Sequence, residues 1–207
     1  MMNRIIAVIA LSLSAMFVSV GASAEDMPAP QALVQKASDD MIAALKAHEQ
    51  ELAQDPSGVY ALVDEILITH FDFERMSRLA LGKNWRDISE AQQQQFVEEF
   101  KLLLIRTYST AMLEYTDEEI RMLPFRDDVS KKRVTVPMEV IQKSGPSIPM
   151  ALSLYENDNG DWKVYDVKID GISLVTNYRS SFANEIRQGG MDKLLQDLAE
   201  RNAKLKP

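Results

Sequence analysis

The most constraining feature of this chain is a change of period at Gly171. Upstream, Trp162 to Ile169 carries aromatic and β-branched residues at the density of a strand. Downstream, Ile172, Val175, Tyr178 (or Arg179) and Phe182 recur at helical spacing. Only Asp170-Gly171 separates the two, and glycine lets the backbone turn there without a Cβ penalty. A strand therefore runs almost directly into a helix. The rest of the chain supplies walls and floor for what this joint positions.

The first two dozen residues stand apart from the fold. Arg4 precedes an apolar run from Ile5 to Val20, and Ala22-Ser23-Ala24 follows as an A-x-A cleavage pattern. This predicts a secretory signal peptide over residues 1–24. The run is short for a membrane span of roughly 20 residues, so an uncleaved anchor is the weaker reading. Cleavage would remove one cation and no acid, moving the net charge from −8 to −9. Such a chain is a poor match for nucleic acid or for anionic lipid surfaces, which need clustered Lys and Arg. Cysteine is absent, so no disulfide can staple the fold and thiol chemistry is excluded. Residues 25–207 are long enough for a single well-buried domain.

Helices are expected first. Leu33, Ala37, Met41, Leu45, His48 and Leu52 form one amphipathic stripe, ended by Asp55-Pro56-Ser57-Gly58. His48 reads as a hydrogen-bonded core-edge residue rather than a ligand, because no second imidazole lies near it in sequence. Asp55 or Ser57 can cap the next helix, lined by Val59, Leu62, Val63, Ile66 and Leu67. Asp72 to Met76 opens a further helix, with Gly82 as its C′ residue. Ser89-Glu90-Ala91-Gln92 is a capping box that starts the longest helix, whose inner face carries Phe96, Phe100, Leu103, Leu104, Thr107, Tyr108, Ala111 and Tyr115.

Strands follow. Ile120, Met122 and Pro124 alternate with Arg121, Leu123 and Phe125; Val134, Val136, Met138 and Val140 share one face, as do Ile148, Met150, Leu152 and Leu154. Asn157-Asp158-Asn159-Gly160 is a hairpin signal leading into Trp162. About four antiparallel strands in a meander, helices before them, a helix to Gly189-Gly190 and a last helix over Met191–Lys204 make an α+β domain. The aliphatic sheet face and the long helix with Met112 read most simply as a packed core. Met112, Met138 and Met150 also suit a surface adaptable to varied apolar partners.

Catalytic constellations are thin. No G-x-S-x-G elbow, H-E-x-x-H pair, P-loop or G-x-G-x-x-G is present, and no metal site is expected. Adjacent acids such as Asp39-Asp40 and Asp127-Asp128 read as solvated surface. Asp158-Asn159-Gly160-Asp161 lacks the later glutamate of a calcium loop and reads as a turn. The distinctive polar group is Asp166, on a half-buried strand, with Arg179 one helix away. A buried carboxylate needs a cation or several donors. The pair Asp166–Arg179 therefore reads as fixing the strand–helix angle. The alternative is an α+β cone-fold enzyme acting on an apolar substrate with Asp166 as acid/base, which the lack of a nearby histidine disfavours.

Two blocks carry a family resemblance. One is Trp162-x-x-Tyr165-Asp166-Val167, Gly171-Ile172-Ser173-Leu174-Val175-x-Asn177-Tyr178-Arg179-Ser180-x-Phe182 and Gly190-Met191-Asp192-x-Leu194. The other is Met76-x-x-Leu79-Ala80-Leu81-Gly82-x-x-Trp85, Ser89-x-x-Gln92, Phe96, Phe100 and Tyr108. Together they resemble the MlaC, or toluene-tolerance, family across nearly the whole chain. The resemblance implies a periplasmic phospholipid carrier of Gram-negative bacteria, not an enzyme. It would shuttle glycerophospholipid between an outer-membrane lipoprotein–porin complex and an inner-membrane ABC transporter with an MCE-domain subunit, maintaining outer-membrane lipid asymmetry. It implies phospholipid as bound ligand, no cofactor, a monomer, and a deep apolar pocket where the residue patterns alone suggest a solid core. It places Leu79, Tyr108, Met150 and Ile172 in the lining. Alternation and helix phase add Met112, Val136, Met138, Leu152, Val175 and Tyr178.

Overall fold

The structure is a computed structural model that describes residues 27–114 and 119–204. The expected signal peptide and Tyr115 lie outside the described residues. Helix α1 (Ala29–Ala47) buries Val34, Ala37, Met41 and Leu45 on one face. It stops at His48 (φ −104°, ψ 13°), and α2 (Glu49–Gln54) starts anew. The single long helix expected from the spacing is therefore two. His48 lies past the end of the buried face, exposed, with Nδ1 2.9 Å from Glu51 Oε2. That corrects its core-edge reading.

Helix α3 (Gly58–Ile66) follows an Asx turn in which the Asp55 carboxylate accepts from the Ser57 amide at 3.0 Å. Phe71 bridges to Val164, and the Asp72 amide donates to the Val164 carbonyl at 2.9 Å, which ties this segment to the sheet. Asp72 then caps α4 (Phe73–Leu81) by accepting from the Arg75 amide at 2.8 Å. Gly82 ends α4 at φ +57°, and a Cβ there would meet the Arg179 guanidinium at 3.0 Å. The capping box before α5 (Glu90–Glu114) forms in both directions: the Ser89 amide donates to Gln92 Oε1 at 3.0 Å and the Gln92 amide to Ser89 Oγ at 3.3 Å.

The sheet has five antiparallel strands in sequential order: β1 (Glu119–Met122), β2 (Arg133–Ile141), β3 (Ile148–Glu156), β4 (Trp162–Ile169) and β5 (Ile172–Ser173). The strand beyond the expected four is the two-residue β5. Asp170 (φ 50°) and Gly171 (φ 78°) form a tight hairpin turn, so the joint contains a minimal hairpin before the helix begins. A bulge also interrupts β4. Ser153 pairs with Asp166 but Leu154 with Val164, leaving Tyr165 as the extra residue.

Helix α6 (Leu174–Lys204) breaks at Gly190 (φ 80°, ψ 177°), as the Gly189-Gly190 pair predicts. Its second half, 191–204, returns along α5. Gln92 donates to Asp192 at 2.7 Å, Asn202 to the Glu99 carbonyl at 2.9 Å, and Arg201 to Glu185 at 2.7 Å.

The buried side chains fall into three clusters rather than one. Met76 and Leu81 with Phe96, Phe100, Phe182, Leu194 and Leu198 lock α4, α5 and α6 together. Val34, Val134, Val136, Leu154 and Val164 hold α1 on the sheet. Met41, Leu45, Leu52, Val59 and Val63 join α1 to α2 and α3.

Candidate functional site

Where the three clusters would meet there is a cavity of about 480 Å³, inside the range of small-molecule and cofactor sites. Each cluster contributes wall: Met76, Leu104 and Leu174 from the first, Val34, Met138 and Val164 from the second, Met41, Leu45 and Val63 from the third. The lining contains no carboxylate, Lys or Arg among the described residues. Its polar members are Ser38, His70, Tyr108 and Ser109. Such a wall offers no strong anchor to a polar ligand but suits hydrocarbon, whose transfer from water is favourable at roughly 0.8 kcal/mol per CH₂.

The elements reach the cavity through their own periodicities. From β2 come Met138 and Val140, and from β3 Ile148, Met150 and Leu152, at every second residue. The bulge at Tyr165 re-phases β4, so that Val164, Val167 and Ile169 all face the cavity, which strict alternation forbids. On α5, Leu104, Ile105, Tyr108 and Met112 follow helical spacing.

Five of the ten residues expected in the lining are there: Tyr108, Met112, Met138, Met150 and Leu152. The other five lie elsewhere. Val136 is fully buried within the sheet cluster, beside Val34 and Val134, and does not reach the cavity. Leu79 packs on the cluster of α4, α5 and α6. Ile172 is 60 % exposed, because it pairs with Ile169 in β5 instead of opening the helix. Leu174 takes the lining position at the start of α6, and Val175 and Tyr178 turn to the aromatic cluster.

The expected pair Asp166–Arg179 is likewise not formed. Asp166, on the face opposite Leu152 and Leu154, accepts from the Val175 amide at 3.2 Å and so caps the first turn of α6. Arg179 lies over the bare backbone of Gly82. The strand–helix angle is held by a carboxylate-to-amide bond in place of an ion pair.

Two titratable groups border the cavity. Burial, with Tyr178 against it, pushes the Tyr108 phenol up to about 12, so it stays neutral throughout the physiological range. Burial chiefly, with the charges of Lys163 and Lys36 beside it, lowers His70 below the ordinary 6.5, while Asp40 opposes. His70 also borders a surface groove lined by Lys36, Asp40, Glu65 and Thr69. The walls from α1 and the Leu67–Phe71 segment, with His70, Ile42 and Ser38, are missing from the expectation.

No helix among the described residues is long and apolar enough to cross a membrane. Nor do three or more His, Asp or Glu among them converge as metal ligands.

Comparison with known proteins gives a consistent result. The chain is 35% identical to the phospholipid-binding protein from Ralstonia solanacearum, solved in complex with a phospholipid, with a TM-score of 0.79 over 85% of this chain and 98% of that one. It is 31% identical over 180 residues to the toluene tolerance protein ttg2D of Pseudomonas putida, covering 86% of this chain and 83% of that protein. It is 22% identical over 173 residues to the intermembrane phospholipid transport system binding protein MlaC of Haemophilus influenzae, covering 83% and 81% of the two chains. The model of the MlaC protein family matches residues 35–200. With four-fifths of its length inside that match, the chain belongs to the MlaC family.

Proposed function

We propose that this chain is a periplasmic glycerophospholipid carrier, which holds acyl chains in the cavity between α1, α5 and the sheet and leaves the head group toward solvent. The observation that carries this is the chemistry of the lining: about 480 Å³ of space walled by aliphatic, thioether and aromatic groups without a charged carboxylate, Lys or Arg. Ten methylenes moved from water into such a wall gain roughly 8 kcal/mol, against which the costs of ordering the lipid must be set. The relatives bear on the ligand, since one was solved with a phospholipid and another is named as an intermembrane phospholipid transport binding protein.

On this reading residues 1–24 are the leader, 25–207 are the carrier domain, and the monomer turns nothing over. It exchanges lipid with an outer-membrane lipoprotein–porin complex and an inner-membrane ABC transporter carrying an MCE-domain subunit, and so serves outer-membrane lipid asymmetry. The alternative acid/base role for Asp166 is disfavoured by its position, on the opposite sheet face and bound to the Val175 amide.

Native mass spectrometry of protein purified from a Gram-negative host tests the proposal. Glycerophospholipid masses bound to the folded protein are expected. Consistently lipid-free protein that also takes up nothing from phospholipid vesicles would refute it.

A further inference from the structure

Eight methionines lie in residues 25–207, and five of them line the cavity: Met41, Met76, Met112, Met138 and Met150. They come from five different elements, α1, α4, α5, β2 and β3. Met138 and Met150 stand opposite one another in the sheet register, and the others face them from the helical walls. Three are buried, and Met112 and Met150 are half-buried.

An unbranched side chain with three rotors and a polarisable sulfur fills gaps of different shape at little cost. Valine and isoleucine have a stiff χ1 and keep one shape. A wall of rigid branched residues discriminates between ligands that differ by one methylene by roughly tenfold or more. Here the eleven valines and isoleucines of the wall are interrupted on both the helical and the sheet side by methionines, which can re-form locally around each ligand.

We propose that the five methionines set the acyl-chain selectivity of the cavity, making it tolerant of chains that differ in length, cis-unsaturation and methyl branching. This rests on the reading of the cavity as an acyl-chain site and goes beyond it. The lipid class is defined by having hydrocarbon chains, while chain identity is left open by the wall itself.

The test uses delipidated full-length protein and phosphatidylethanolamine vesicles, the lipids alike in head group and differing only in their chains. Uptake by the wild type is expected to vary within about threefold across the series. Met112→Ile with Met150→Ile, on facing walls, should widen the spread between chains beyond about tenfold. Met112→Leu with Met150→Leu, unbranched at Cβ like the native pair and the milder swap, should fall between, and provides the comparison if the isoleucine variant does not fold. A steep wild-type profile, or variants as flat as the wild type, would overturn the assignment to the methionines while leaving the carrier reading intact. Absence of uptake of every lipid by the wild type would overturn both.

Discussion

The two ends of helix α5 stand in contrast. Near its start, Phe96 and Phe100 stack at 5.6 Å and receive Phe182 edge-on at 5.4 and 5.5 Å, with Tyr178 5.2 Å from Phe100. Toward its other end, Leu104, Ile105, Tyr108 and Met112 face open space. Rigid rings interlock edge to face and leave no void. Aliphatic and thioether side chains, held apart by α1 on one side and the sheet on the other, do not close the gap. Tyr108 marks the boundary, lining the cavity while its phenol meets Tyr178 of the aromatic cluster. One helix thus serves as clamp at one end and container at the other, and stability and binding should separate along it.

The largest effect on that separation is expected from Phe100→Ala, which empties the fully buried clamp. It should cost about 3–5 kcal/mol of stability, read as a lowered denaturation midpoint. Met150→Asp attacks the other end. A charge in the cavity wall should reduce phospholipid retention at least about tenfold with a much smaller loss of stability, because the void can admit water around the carboxylate. Leu79→Asp, which strikes the clamp instead, should show the reverse ranking. Equal effects on both readouts in these variants would erase the distinction between the two ends.

Removal of the α6 cap by Asp166→Ala should cost about 1 kcal/mol and leave lipid retention unchanged, as befits a group outside the cavity. Smallest is the pH effect of His70. Its folded pKa is lowered, so the neutral form is favoured in the fold. The associated stability is complete above the ordinary value of 6.5 and is lost as pH falls through the lowered folded value. A thermal midpoint that declines on mild acidification in the wild type, and less so in His70→Gln, is the expected result. His48→Gln, altering an exposed imidazole, is the control.

Local signals made much of this legible in the sequence. The Ser89–Gln92 box, the positive-φ Gly82, the break at Gly190 and the alternation along β2 and β3 each depend on residues close in the chain. The α+β order follows from them. What stayed hidden depends on pairings across the fold. The cap of α6 comes from a strand residue nine positions before the amide it binds. A capping pattern sought next to the helix misses it and offers Arg179 as the partner instead. The bulge at Tyr165 is fixed by register against β3 and turns Val167 toward the cavity with Val164. Helix phase correctly grouped Val175, Tyr178 and Phe182 on one inner face, but phase does not say whether the neighbour across that face is solid or empty.

Acyl chain is expected at the container end of α5 and never at the clamp. A phospholipid carrying a photoreactive diazirine at its acyl terminus, loaded from vesicles and irradiated, tests this by peptide mapping. Adducts are expected on cavity residues such as Met41, Ile105, Met112 and Met150. Adducts concentrated on Phe96, Phe100 or Phe182, or only on exposed residues such as Ile172, would contradict it.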